Sequence, residues 1–206
     1  MLQNLKMENR QETCVPRRGR AAVLLLLACA FLLGSFAQSQ GQKKSQPKPA
    51  VLPSAIPAEV MLKIVRAEDE RRFDNDLGIL LFDKDARVRT RAALATGRIG
   101  DERGLTSLIA LLQTDKEPEV RAMAAFAIGE TESQAGAAAL SEVVRKVTET
   151  DEVRARALEA LGKIAAALPK ADEAQSRAIG ELILKTLDEE QARGPKSSRD
   201  LVLLGL

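Results

Sequence analysis

The sequence predicts an all-α fold, an α-solenoid of stacked antiparallel helix pairs. Three observations predict it. The pattern V-R-x-x-A-x-x-A-x-G recurs at intervals of 32 and 33 residues, at Val88-Arg89, Val120-Arg121 and Val153-Arg154. Within each copy the apolar residues fall at helical steps of three and four, which places them on one face. And 45% of residues are hydrophobic while only 2% are aromatic. A core built from Ala, Leu, Ile and Val suits close helix packing and argues against a β-sandwich.

The first full copy, DARVRTRAALATGRIG at 85–100, sets Val88, Ala92, Ala95 and Ile99 on one face. The second, EPEVRAMAAFAIGETE at 117–132, does the same with Val120, Ala124, Ala127 and Ile128. The third, at 150–165, reads TDEVRARALEALGKIA. Asp85, Glu117 and Thr150 then become the residues just before each helix. Asp and Thr accept well from free N–H groups there and Glu poorly, and Pro118 suits the first helical turn because it has no N–H to lose. Gly97, Gly129 and Gly162 keep the repeat spacing. Glycine inside a helix costs about 1 kcal/mol against alanine, so its return at one place predicts that another helix backbone comes close there.

A second helix is expected after each first one: Leu105 to Leu112, Ala137 to Val147, and Gln175 to Leu187 after a longer connection through Pro169. Ala58 to Arg72 and Asp76 to Phe82 read as an earlier, looser pair. The expected repeats are therefore 57–82, 83–114, 115–147 and 148–190. One pair cannot cover its own apolar face; stacked pairs share a continuous core. The tail Arg199 to Leu206 begins like a further apolar helix. It reads either as the end of a chain truncated at residue 206 or as a segment folding back on the last repeat.

The three copies, with D-A-R-V-R-T-R-A-A-L-A-T-G-R-I-G-D at 85–101 as the clearest, resemble the HEAT-repeat group, in particular the short HEAT-like repeats of phycobilisome lyases. The resemblance covers roughly residues 58–190. It implies an armadillo-type superhelix and a role in binding other macromolecules. Beyond the repeat itself, nothing in the chain points to a tetrapyrrole.

Ahead of the repeats, Arg17-Arg18-Gly19-Arg20 precedes an apolar run from Ala21 to Phe36, which ends in Ser35-Phe36-Ala37. This order is that of a secretory signal peptide, 1–37, cleaved between Ala37 and Gln38. The run is shorter than the roughly 20 residues that span a bilayer. An uncleaved N-terminal anchor and a lipoprotein site at Cys29 are the other readings. Residues 38–56, rich in Gln, Ser, Lys and Pro, read as a flexible linker to the repeat domain, 57–206.

Histidine, tryptophan and tyrosine are absent, and both cysteines, Cys14 and Cys29, lie in the leader. No imidazole base, His–nucleophile pair or His metal ligand can be built, and a processed chain would carry no thiol. The pI of about 8.6 also belongs to the leader. Residues 1–37 hold five of the 31 basic and two of the 29 acidic side chains, which leaves 26 and 27 for the rest. A net −1 gives no reason to expect nucleic acid.

Arg89, Arg121 and Arg154 recur with the repeat and read either as a ladder for carboxylates or phosphates or as internal pairs with acids such as Asp85 and Glu117, the second being favoured. Arg87, Arg89, Arg91, Arg98 and Arg103 make the first full copy locally basic and read as a solvated helix face in preference to a phosphate track. The acidic runs at 68–70, 74–76 and 188–190 read as exposed faces and helix ends, with Glu68 near enough to Arg71 and Arg72 to pair along its helix. Phe73, Phe82 and Phe126 read as core. No catalytic, cofactor or metal residue is expected. The functional expectation is a non-catalytic protein-interaction scaffold outside the bacterial cytoplasm, periplasmic or extracellular, with a protein partner, no nucleic acid, and membrane contact only through an uncleaved leader. The alternatives are the helical part of a longer multidomain enzyme and a membrane-tethered spacer.

Overall fold

The computed structural model describes residues 55–206. The expected cleavage point at Ala37–Gln38 and most of the linker lie outside the described residues. Within them every regular element is helical. The α-helices are α1 (Ala58–Asp69), α2 (Asn75–Leu80), α3 (Ala86–Ile99), α4 (Leu105–Thr114), α5 (Pro118–Glu130), α6 (Ala137–Arg145), α7 (Asp151–Ala167), α8 (Glu173–Ala192) and α9 (Arg199–Gly205).

Their starts follow from capping chemistry. The Asp85 carboxylate accepts from the Arg87 N–H at α3, and the Thr150 hydroxyl accepts from the Val153 N–H at α7. Glu117 makes no such bond, and α5 starts with Pro118 instead. Gly100 closes α3 in the left-handed conformation at φ 71°. Fifteen residues past the cap of α5, the equivalent Glu132 takes φ 52° without being glycine. The third copy has no such break at Ala165, so α7 runs on to Ala167.

The helices form two layers. α1, α3, α5, α7 and α9 stack on one another in the first; α4 packs on α5 and α6 on α7, so the second helix of each pair is locked to the first helix of the next. The core is continuous through the stack, from Ile64 and Leu81 through Val88, Ala92, Leu108, Val120, Ile128, Leu140 and Val153 to Ile164 and Leu201, all at most 2% exposed. The fold is an α-solenoid, as the sequence predicts. The tail joins it: α9 lies on α7 as α7 lies on α5, and Leu201, three residues after the Ser198 cap, occupies the position of Val88, Val120 and Val153.

The glycines divide. A Cβ on Gly97 would stand 2.7 Å from the Ala127 Cα, and one on Gly129 would stand 2.7 Å from the Ala160 Cα. These are the close backbone approaches that the repeat spacing predicts. Gly162 departs from the pattern, with nothing within 4 Å of its Cβ position among the described residues.

Candidate interaction surface

The repeated arginines are internal clamps. Arg89 donates through Nε and Nη2 to the two Asp115 carboxylate oxygens at 2.6 and 2.8 Å, and through Nη1 to the Asp83 and Lys84 carbonyls at 2.8 and 3.3 Å. Arg121 repeats this one copy later. Its Nε and Nη2 meet Glu149 at 3.2 and 2.5 Å, and its Nη1 meets the Asp115 and Lys116 carbonyls at 2.8 and 3.2 Å. Each arginine thus ties the acid that closes its own repeat to the loop that opens it. Asp115 joins consecutive clamps, taking Arg89 on its side chain and Arg121 on its carbonyl.

Of the two readings of these arginines, internal pairing is the one seen, but with other partners than Asp85 and Glu117. Asp85 pairs with Arg87 at 2.6 Å, and Glu117 lies 3.9 Å from Lys116. The true acceptors stand 26 and 28 residues along the chain, just past the ends of α4 and α6, where the fold returns them to the start of the pair. The same acids close the next loop, Asp115 accepting from the Glu117 N–H and Glu149 from the Thr150 N–H.

Burial and pairing set the charge state of these acids. Burial pushes the Asp115 and Glu149 carboxyls up. The hydrogen bonds from Arg89 and Arg121, with those from the Glu117 and Thr150 N–H groups, outweigh it and hold both below the ordinary carboxylate range.

The basic residues of the first full copy are also engaged. Arg103 pairs with Asp101 at 2.5 Å, and Arg91 and Arg98 both reach Glu68 on α1. Glu68 therefore bridges α1 to α3 and does not pair along its own helix with Arg71 or Arg72. Asp74 caps α2 by accepting from the Leu77 N–H, and Asp76 pairs with Lys63. Among the described residues no group of His, Cys, Asp or Glu is arranged to hold a metal ion, and no helix is long and apolar enough to cross a membrane.

The phenylalanines depart from the core expectation in part. Phe73 packs against the core. Phe126 is half-buried, with the Lys163 ammonium 4.3 Å from its ring centroid and the Arg156 guanidinium at 5.7 Å. Phe82 stands 59% exposed, beside Ile79 at 61%. The reason is local. α2 is only six residues long and fills the core with Leu77 and Leu80, and Leu81 follows at once, so Phe82 emerges in the turn. Phe73, Ile79 and Phe82, with Arg103 and Ser107 across from them, line a cleft of about 660 Å³ between α2 and α4. A second cavity of about 530 Å³ lies between α6 and α8.

Sequence reading also missed Gly104 and Gly136, which carry the 32-residue spacing into the turns just before α4 and α6. A Cβ there would collide with the Thr96 and Ile128 side chains respectively.

Residues 105–190, from α4 through most of α8, match the protein family described as HEAT repeats. The fold defines the class, an α-solenoid, and the family match lies within it. No curated protein matches the chain.

Proposed function

We propose that this chain is a non-catalytic scaffold that binds another protein outside the bacterial cytoplasm. The observation that carries the reading is the cleft between α2 and α4. Single exposed apolar side chains are common on any surface, but two bulky ones side by side at the mouth of a concave cleft form a place for an apolar anchor. The stack supports it by supplying a frame in which Arg89 and Arg121 are held in internal clamps and Glu68 bridges α1 to α3. Export rests on the basic, apolar and small-residue order of residues 17–37. Kinship with the short repeats of phycobilisome lyases rests on the pattern at 85–101 alone.

A photo-crosslinking residue placed at Phe82 in cells is expected to give a discrete adduct, and one at the exposed Arg87 none. The absence of any adduct from Phe82 and Ile79 would count against binding through this cleft. For export, intact mass of the mature chain is expected to show Gln38 at the N-terminus. A chain that keeps its leader would favour the anchored form.

A further inference from the structure

The third rung of the arginine ladder differs from the first two. Arg154 is as deeply placed as Arg89, with both side chains 8% exposed. Among the described residues its only hydrogen bond runs from Nε to the Val144 carbonyl, at 3.1 Å. Its Nη1 lies 3.6 Å from the nearer Asp151 carboxylate oxygen and 3.8 Å from that of Glu190, too far for hydrogen bonds. The cause is the length of α8, which has 20 residues against ten in α4 and nine in α6. The acid equivalent to Asp115 and Glu149 is Glu190, and it sits inside the last turn of α8. There it accepts from Arg193 at 2.7 Å and from the Ser198 N–H at 3.0 Å. It closes the next loop as its counterparts do, but it leaves the guanidinium without a bidentate partner.

Arg154 lines the cavity between α6 and α8. Apolar walls come from Val144, Val147, Ala178 and Leu182, and Val147 is 83% exposed. Arg145, Lys185, Glu181 and Glu189 also line it, and Lys185 lies 3.9 Å from Glu189. With Arg154 the lining carries three positive and two negative side chains, and the Asp151 and Glu190 carboxylates stand beside Arg154 at 3.6 and 3.8 Å. A guanidinium whose Nη groups make no hydrogen bond among the described residues is well matched by a carboxylate, which takes two parallel N–H bonds.

We propose that the cavity between α6 and α8 is a carboxylate-binding site, in which Arg154 offers its two Nη groups to an acidic side chain of a bound peptide while a neighbouring apolar residue rests on Val147 and Leu182. The ligand does from outside what Asp115 and Glu149 do from within. The site gives the binding-scaffold reading a ligand class and rests on it for its purpose, but its test needs no partner protein, so the two can fail separately.

The test uses the full chain, with the Arg154 Nε–Hε resonance followed by nitrogen-15 NMR. The probes are acetyl-Val-Glu-Val-amide, acetyl-Val-Gln-Val-amide, and acetyl-Val-Gln-Val with a free C-terminus. The glutamate peptide is expected to shift the Arg154 resonance and to bind at least tenfold more tightly than its neutral counterpart. Arg154→Gln is expected to abolish that difference. Because that change also touches the fold, Ala178→Trp serves as the second variant: it fills the cavity from an exposed position on α8 and is expected to block the peptide while leaving the thermal melt in place. Equal binding of the glutamate and glutamine peptides, or an unmoved Arg154 resonance, overturns the proposal. Binding of the free C-terminus alone overturns the side-chain form and makes the site one for chain ends.

Discussion

Gly129→Ala is expected to destabilise the protein by about 2 kcal/mol or more, although alanine is the better helix former by about 1 kcal/mol. The new methyl would lie 2.7 Å from the Ala160 Cα and 2.8 Å from its Cβ. Ordinary carbon contacts begin near 3.5 Å, so α5 and α7 would have to separate by about 1 Å along a dry seam. No flexible side-chain end is available to give way, since the contact is with backbone. Gly162→Ala supplies the internal control. It has the same place in the repeat and nothing within 4 Å, so only the propensity gain remains, and a stabilisation of about 0.5–1 kcal/mol is expected. Urea titrations of both variants check the pair. If the two changes move the midpoint in the same direction, backbone contact is not what the seam glycines serve.

Arg121→Ala is expected to cost about 3–5 kcal/mol, the usual penalty for stranding one member of a buried ion pair. Glu149 would keep its carboxylate 5% exposed with its bidentate partner gone, and the Asp115 and Lys116 carbonyls would lose their shared donor. Arg177→Ala, which removes an exposed pair with Glu173 at 2.9 Å, is expected to change nothing measurable. Acid should reveal the same clamps. Because Asp115 and Glu149 titrate below their unfolded values, their stabilising effect is complete above the ordinary carboxylate range. It is lost as pH falls through their lowered folded-state values. Arg121→Ala should therefore lose less stability on acidification than the parent, in unfolding titrations at pH 7 and pH 3. An unchanged difference between the two pH values would remove Glu149 from this role.

The repeat was legible in the sequence because its signals are local. Val88, Val120 and Val153 mark one helical face, and the caps Asp85 and Thr150 and the turn-opening Pro118 act within a few residues of themselves. Two of the three seam glycines were read correctly for the same reason. The clamp acceptors were not legible, because pairing Arg89 with Asp115 needs the chain to travel down α4 and back. A trace was present all the same. Asp83-Lys84-Asp85 and Asp115-Lys116-Glu117 are the same loop 32 residues apart, with the acceptor two places ahead of each cap. Phe82 was misread because a short α2 ends its apolar face early, and helix length is poorly encoded in periodicity. The open state of Arg154 depends on the length of α8 and on where Glu190 falls in it, and neither follows from the repeat pattern.

The contact of Gly97 with Ala127 and of Gly129 with Ala160 has a mechanical consequence. Along that line α3 meets α5 and α5 meets α7 with no room for a methyl between the backbones. α4, α6 and α8 meet one another only lightly. The stack therefore resembles a folding fan, its ribs pinned along one edge and free along the other. Elastic strain collects on the free edge, so the spaces beside α6 are the dimensions of this molecule that can widen or narrow while its spine keeps its length.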